Sequence, residues 1–218
     1  ATAQAEEASR TKSRFLATAS HDLRQPVQTL ALLHGALRRM GPNAAMAEVL
    51  EQGERAIGAM SKLLNALLDI SKLESGAVRP EISDFKVATL FEELRAEFDG
   101  LAGSKGLHLD VEPCAERIHS DPALVGQAVR NLVSNAIKYT REGRVVLRCR
   151  RDGPCVRLEV ADTGVGIAAG ELSRICDDFY QVGVPGNASR EGYGLGLSIV
   201  SRIARLLELS RVAVVVTS

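Results

Sequence analysis

The sequence predicts an α+β chain in two unlike parts: an N-terminal two-helix hairpin forming a dimeric four-helix bundle, followed by an α/β sandwich. Three observations carry this expectation. Residues 5 to 74 show no strand signal and an apolar stripe at seven-residue spacing; composition shifts at "ESGAVRPEISDF"; beyond that point short alternating runs interleave with helical ones. The 218 residues suit one large domain or two small ones, and 45% hydrophobic with 25% charged residues is ordinary for a folded globular protein.

In the first part, Leu16, Leu23, Leu30 and Leu37 recur every seven positions, and Ala19, Leu33 and Met40 each follow one of them by three. That is an a/d heptad stripe. "GPN" at 41–43 breaks it, and a second stripe runs through Leu50, Ile57, Met60, Leu64 and Leu67. Two helices of about 30 residues, each roughly 45 Å long, make an antiparallel hairpin. Alone it leaves much of both stripes wet, so a homodimer is expected. Gly76 ends the second helix and Pro80 forbids its continuation. The expected layout is a helical hairpin over 1–75, a linker over 76–82 and a second domain over 83–218.

In the second part the sequence predicts a strand near 81–85, a helix over 87–102 and a strand over 106–112. A helix then opens at "SDPALV", with Ser120 or Asp121 as cap and Pro122 in the first turn. "RVVLRCRRDGPCVRLEVAD" reads as a hairpin about Asp152-Gly153, pairing Val145, Leu147 and Cys149 with Val160, Leu158 and Val156. A glycine-punctuated loop, a helix over 194–207 and a last strand at "RVAVVV" complete the order.

Lys+Arg and Asp+Glu balance at 27 each, which gives no electrostatic reason for a nucleic-acid or anionic-membrane partner. No apolar run approaches the ~18 residues of a membrane span, and the polar start has no apolar leader core. The missing initiator methionine predicts a piece of a longer chain. Cys114, Cys149, Cys155 and Cys176 show no C-x-x-C spacing and are expected to be free thiols. A Cys149–Cys155 bridge is rejected, because the hairpin sets them on opposite faces. Arg144, Arg148, Arg150 and Arg157 alternate with the apolar face as a solvated surface. His34, His108 and His119 show no ligand partners.

Three constellations exceed what packing needs. In "ATASHDLRQPVQTL" the heptad places His21 at f and Gln25 at the next c, both on the solvent side and stacked at i and i+4. His21 is either an incidental exposed histidine or a nucleophile whose Nδ1–H a carboxylate holds, with Asp22 the candidate. Pro26, costing roughly 3 kcal/mol inside a helix, kinks the chain just beyond. Over 122–140, Gln127, Asn131, Asn135 and Lys138 line one helix face, with Leu124, Val125, Ala128, Leu132 and Ala136 on the other. The polar stripe is a solvated surface or a phosphate and Mg²⁺ site, since an amide oxygen is a hard ligand and an ammonium neutralises phosphate. Asp162, Gly164 and Gly166 in "ADTGVGI" suit an exocyclic amine and the close approach of a flat ring. Gly192, Gly194 and Gly196 in "GYGLGLSIV" leave backbone N–H groups free at a helix N-terminus. There is no Walker A pattern, and no strand directly precedes Gly192, so a Rossmann reading fails.

With these residues in view, the chain resembles the sensor histidine kinases. "SHDLRQP" is similar to their H box, "NLVSNAIKYT" to the N box, "DTGVGI" to the G1 box, "CDDFYQV" to the F box and "GYGLGL" to the G2 box, in family order over nearly the whole chain. The resemblance implies a dimerisation and histidine-phosphotransfer hairpin joined to a Bergerat-type ATP-binding sandwich. It implies ATP-dependent phosphorylation of His21 with Asp22 as general base, then transfer to an aspartate of a response-regulator receiver domain. It further implies Asn135 as Mg²⁺ ligand, Asn131 and Lys138 at the phosphates, Tyr139 beside the nucleotide, Asp162 on the adenine amine, and a lid over about 168–191. Within these boxes Phe179 and Leu195 join Gly164, Gly166, Gly192, Gly194 and Gly196 as candidate nucleotide contacts. An upstream sensor domain and a cytoplasmic location are implied, with no membrane segment in this stretch.

Departures from the pattern are specific. Gln25 stands where Thr or Asn is usual for dephosphorylating the regulator, Cys176 replaces the first F-box phenylalanine, and Gln181 replaces a frequent arginine. The chain stops at "VAVVVTS" without the usual glycine-rich closing hairpin, so a last strand is expected to be lacking. Two other readings follow: an ATP-binding pseudokinase or dimeric scaffold, and a gyrase-type ATPase. Gyrase-type relatives place a water-activating glutamate four residues before the metal asparagine. Here that place is Asn131, which is no base.

Overall fold

A computed structural model describes residues 23–41, 43–182 and 192–208. Backbone packing divides the chain into two units. One holds the helical hairpin through Val78, with Gly192 and Tyr193 grouped to it; the other begins at Arg79 and takes in the chain from Gly194.

The helical unit contains α1 (residues 23–39) and α2 (Ala44–Glu74). Asn43 caps α2, its side-chain oxygen accepting from the Met46 N–H at 2.9 Å. Across the hairpin Arg24 donates to the Asn65 amide at 2.8 Å, Arg38 pairs with Glu54, and the His34 ring bonds the Leu50 carbonyl. Gly53 makes room for that ring, since a Cβ there would lie 3.1 Å from it. Val27, Leu50, Leu64, Leu68 and Ile70 are buried, but Leu23, Leu30, Leu33, Leu37, Met40 and Met60 are all about half exposed or more in the single chain. A stripe this wet is apolar surface that the single hairpin does not bury. His21, Asp22 and the N-terminal part of the first stripe lie outside the described residues.

The second unit runs β1 (Ser83–Lys86), α3 (Val87–Ser104), β2 (His108–Val111), β3 (Arg117–Ser120), α4 (Pro122–Tyr139), β4 (Arg144–Asp152), β5 (Cys155–Asp162), a short 3₁₀ turn (Ala169–Glu171) and α5 (Gly196–Leu206). β1 pairs antiparallel with β3; β2 runs parallel to β4, which pairs antiparallel with β5. Between helices and sheet, Val87, Phe91 and Leu94 of α3 meet Val129, Val133 and Ile137 of α4 and Val145 and Leu147 of β4 in one buried cluster. Gly126 lets α3 and α4 close up, with Leu90 only 3.2 Å from where its Cβ would stand.

Four expectations change. β3 was not foreseen. The hairpin turns at Gly153–Pro154, so Leu147 pairs with Val160 and Cys149 with Leu158; proline has no N–H for the ladder and is better placed in the loop. Parity is kept, so Cys149 and Cys155 still face opposite ways. The buried arc of α4 is centred on Val129, Val133 and Ile137, with Ala128 and Leu132 only half-buried. Finally, Cys114 is disulfide-bonded to Cys149 with Cα atoms 5.7 Å apart, while Cys155 and Cys176 are free. That bridge sits between two ion pairs joining the same segments, Glu112–Arg148 and Glu116–Arg151. The Arg151 hydrogen bond, with its charge, holds Glu116 below the usual carboxylate range against desolvation. The expected closing strand lies outside the described residues.

Candidate functional site

Helix α4 organises the candidate site. Asp121 caps it, accepting from Leu124 N–H at 2.9 Å, and the same carboxylate accepts from Glu81 N–H at 2.7 Å. Pro122 follows in the first turn, where its missing N–H costs nothing. One turn after Gln127, Asn131 donates from Nδ2 to the Gln127 carbonyl at 2.9 Å. That bond turns the Asn131 oxygen towards α5: a Cβ on Gly196 would lie 3.3 Å from Asn131 Oδ1 and 3.4 Å from Asn135 Nδ2. The two amides therefore face the first residue of α5, whose N-cap Leu195 makes no side-chain cap and whose first turn carries no acid. The positive dipole end of α5 thus meets two neutral side-chain amides, Asn131 through its oxygen.

The far end of α4 meets the loop after β5. The Tyr139 carbonyl accepts from Val165 N–H at 3.4 Å, and Asp162 Oδ1 accepts from Gly164 N–H at 2.8 Å. A side chain at Gly164 has no room, since its Cβ would fall 2.7 Å from both Asp162 Oδ1 and the Tyr139 carbonyl. Gly166 takes φ 67°, which glycine adopts without strain. Beside this cradle the Thr140 hydroxyl is buried without a hydrogen-bond partner among the described residues. Sequence reading assigned Thr140 no role; its place at the end of "NAIKYT" was the available signal. Thr163 was also passed over. Its hydroxyl accepts from Arg144 N–H at 3.1 Å and bonds the Glu142 carbonyl at 3.1 Å, fixing the start of the loop. Lys138 donates to the Tyr139 hydroxyl at 2.6 Å and lies over that ring.

The segment after the 3₁₀ turn carries Cys176, Phe179 and Gln181. Burial, then the Asp177 charge, push the Cys176 thiol up. Phe179 has φ 62° and an exposed ring. Gly194 abuts it: a Cβ there would lie 2.5 Å from the Tyr180 carbonyl and 2.7 Å from the Phe179 carbonyl carbon. The structure thus brings Asn131, Asn135, Leu195 and Gly196 together, Asp162, Gly164 and Tyr139 together, and Phe179 against Gly194. It does not bring Gly192 into this unit, and Gln25 is exposed on α1 of the other.

Two family models match the chain in series. Residues 11–76 match the His Kinase A (phospho-acceptor) domain, and residues 120–216 match the histidine kinase-, DNA gyrase B- and HSP90-like ATPase. The sensor histidine kinase RcsC of Escherichia coli (strain K12) is 35% identical over 215 residues, 94% of this chain and 22% of that protein. The chain belongs to the sensor histidine kinases. The sensor protein TorS of the same strain is 34% identical over 221 residues, 95% of this chain and 23% of its own length. Full-length ShkA, solved in complex with AMPPNP, matches with TM-score 0.75 at 26% identity over 89% of this chain and 41% of that one. The chain spans about a fifth of the length of these curated histidine kinase relatives. Among the described residues no helix is long and apolar enough to cross a membrane.

Proposed function

We propose that this chain is the core of a histidine kinase that phosphorylates His21 from ATP and passes the phosphoryl group to an aspartate of a receiver domain. The observation that carries the nucleotide half is the meeting of Gly196 with Asn131 and Asn135. A helix N-terminus without a side-chain cap, facing two side-chain amides, suits a polyphosphate and its cation, and a carboxylate there would repel the one while attracting the other. The fit extends to the base. Gly164, packed against Asp162 and the Tyr139 carbonyl with no side chain of its own, keeps the turn beside Asp162 unencumbered, which suits a flat base, and the orphaned Thr140 hydroxyl lies next to the same glycine.

In this reading Asp162 accepts from the adenine amine and Lys138 neutralises phosphate. Asn135, with the Asn131 oxygen beside it, would hold Mg²⁺. The cation, when bound, offsets the charge of the phosphates and orients them. His21, with its other ring nitrogen held by Asp22, attacks the γ-phosphorus from Nε2. An N–P bond forms as the bond to the bridging oxygen breaks, and ADP leaves. The phosphoryl group then moves to a receiver carboxylate, with His21 as leaving group. We further propose a homodimer through the half-exposed stripe of α1 and α2, domain limits at 1–75 and 83–218, and an upstream sensor. A cytoplasmic place is proposed for this segment.

The test is incubation with Mg²⁺ and γ-labelled ATP, comparing the native chain with His21→Gln. Acid-labile label that disappears in the variant is the expected result. Nucleotide binding without label on the native chain would favour a dimeric scaffold, and phosphate release independent of His21 a hydrolase.

A further inference from the structure

Arg202, in the middle of α5, is one of the better-buried charged side chains of the second unit, with 19% of it exposed. Its guanidinium meets Asp178 through two parallel bonds, Nη1 to Oδ1 and Nη2 to Oδ2, each 2.9 Å. A further bond from Nη1 to the Ser198 carbonyl at 3.3 Å fixes the fork against its own helix. Paired planar contacts of this kind are the strong, oriented form of ion pair.

What the pair holds is unusual. Asp178 precedes Phe179, whose φ of 62° is a left-handed conformation that a bulky residue avoids. On the other side, the Tyr180 backbone is wedged against Gly194. The Arg174 guanidinium lies 4.2 Å over the Tyr180 ring, and Tyr180 N–H bonds the Asp177 carbonyl at 3.3 Å. Phe179 is thus gripped on both flanks while the residue is 60% exposed. Strain over-determined by its surroundings, on a residue left largely exposed, is the mark of a residue presented to something. The helix that grips it, α5, is the one whose N-terminus faces Asn131 and Asn135.

We propose that Arg202 is a positioning residue for nucleotide binding: through Asp178 it fixes the Phe179 segment so that the ring is presented, pre-formed, to the nucleotide. The proposal rests on the ATP reading above. Its energetic role is to remove the ordering cost of that segment from the binding step. Loss of Arg202 therefore weakens capture of ATP and leaves the phosphoryl transfer step, which Phe179 does not touch, largely as it was.

The experiment uses the whole chain and measures KM for ATP, kcat for labelling of His21, affinity for a fluorescent ATP analogue, and Tm. For Arg202→Gln and Asp178→Asn, KM and the analogue Kd are expected to rise about 10-fold, with kcat changed by less than about 2-fold. Arg202→Lys, which keeps the charge but loses the fork, falls between. The exchange Asp178→Arg with Arg202→Asp is expected to restore KM to within about 3-fold of native. Unchanged KM in the single variants, or a fall in kcat and Tm together without a KM shift, overturns the proposal. Failure of the exchange to restore KM overturns it also. A native chain that binds no nucleotide removes the ATP reading itself, a result distinct from active native chain with indifferent variants.

Discussion

Thr140→Val separates stability from function at the nucleotide site. Thr140 is 1% exposed, and its hydroxyl has no partner among the described residues. A buried polar group left unpaired costs about 1–3 kcal/mol, so replacing the hydroxyl by a methyl of the same shape stabilises the free domain by about 1–2 kcal/mol. The backbone accepts the change. Thr140 closes α4 at φ −96° and ψ 125°, an extended conformation that suits a β-branched residue, and its own N–H still bonds the Ala136 carbonyl. In a domain of this size each kcal/mol moves Tm by about 3–5 °C, so a rise of about 3–10 °C is expected in a melt without nucleotide. If the hydroxyl serves the base held at Asp162 and Gly164, the same variant loses one hydrogen bond on binding. ATP affinity then falls about 3–10-fold, measured by titration calorimetry. A Tm equal to or below native, together with native ATP affinity, would refute both halves of the reasoning.

Three further outcomes follow from the same structure. Gly164→Ala forces a methyl to 2.7 Å from Asp162 Oδ1 and the Tyr139 carbonyl, and is expected to cost at least about 1–3 kcal/mol of stability and more than about 10-fold in ATP affinity, read by melting and titration. The Cys114–Cys149 bridge spans 35 positions; chain entropy predicts a loss of about 3–4 kcal/mol for Cys114→Ser under non-reducing conditions, with no difference from native once reductant is added. Because burial and Asp177 raise the Cys176 thiol, its thiolate is scarcer near pH 8 than that of a small free thiol. Iodoacetamide should therefore modify it more slowly than glutathione, with the gap narrowing as pH rises above the ordinary thiol range.

What could be read in the sequence was what local pattern determines. Gly76, Asp121 and Pro122 punctuate helices through their own backbone chemistry; α3 begins at the expected residue 87 and α4 at Pro122. β3 escaped because Arg117–Ser120 offers only Ile118 and Ser120 to the interior, too little alternation to see, and it exists because β1 supplies a partner. The hairpin shifted because Asp152-Gly153 is the stronger turn dipeptide by propensity, while Pro154 is the stronger prohibition. Of the expected apolar face of α4, Leu124, Val125 and Ala136 are buried; α5 covers a second flank, so the buried arc is wider than one stripe and takes in Val129, Val133 and Ile137 as well. The bridge between Cys114 and Cys149 is a tertiary event. Nothing in their spacing announces that the loop after β2 lies along β4.

The candidate site divides along the same line. Asn131, Asn135, Asp162 and Gly196 were legible because each is a polar or glycine residue where an ordinary helix or strand would have chosen otherwise. Thr140 and Arg202 were not, since a threonine at a helix end and an arginine on a helix are commonplace; only burial and partners mark them. The geometry also bears on hydrolysis against transfer. An amide has no basic lone pair near neutral pH, and Asn131 already spends its N–H on the Gln127 carbonyl, leaving its oxygen aimed at the α5 terminus. At the place where a hydrolase of related fold needs a carboxylate to activate water, this chain has a fixed acceptor that can hold a cation but not remove a proton. On the proposed reading, a site so equipped would keep its nucleotide intact until a nucleophile with its own base arrives, and His21 next to Asp22 in the sequence is the pair proposed to bring one.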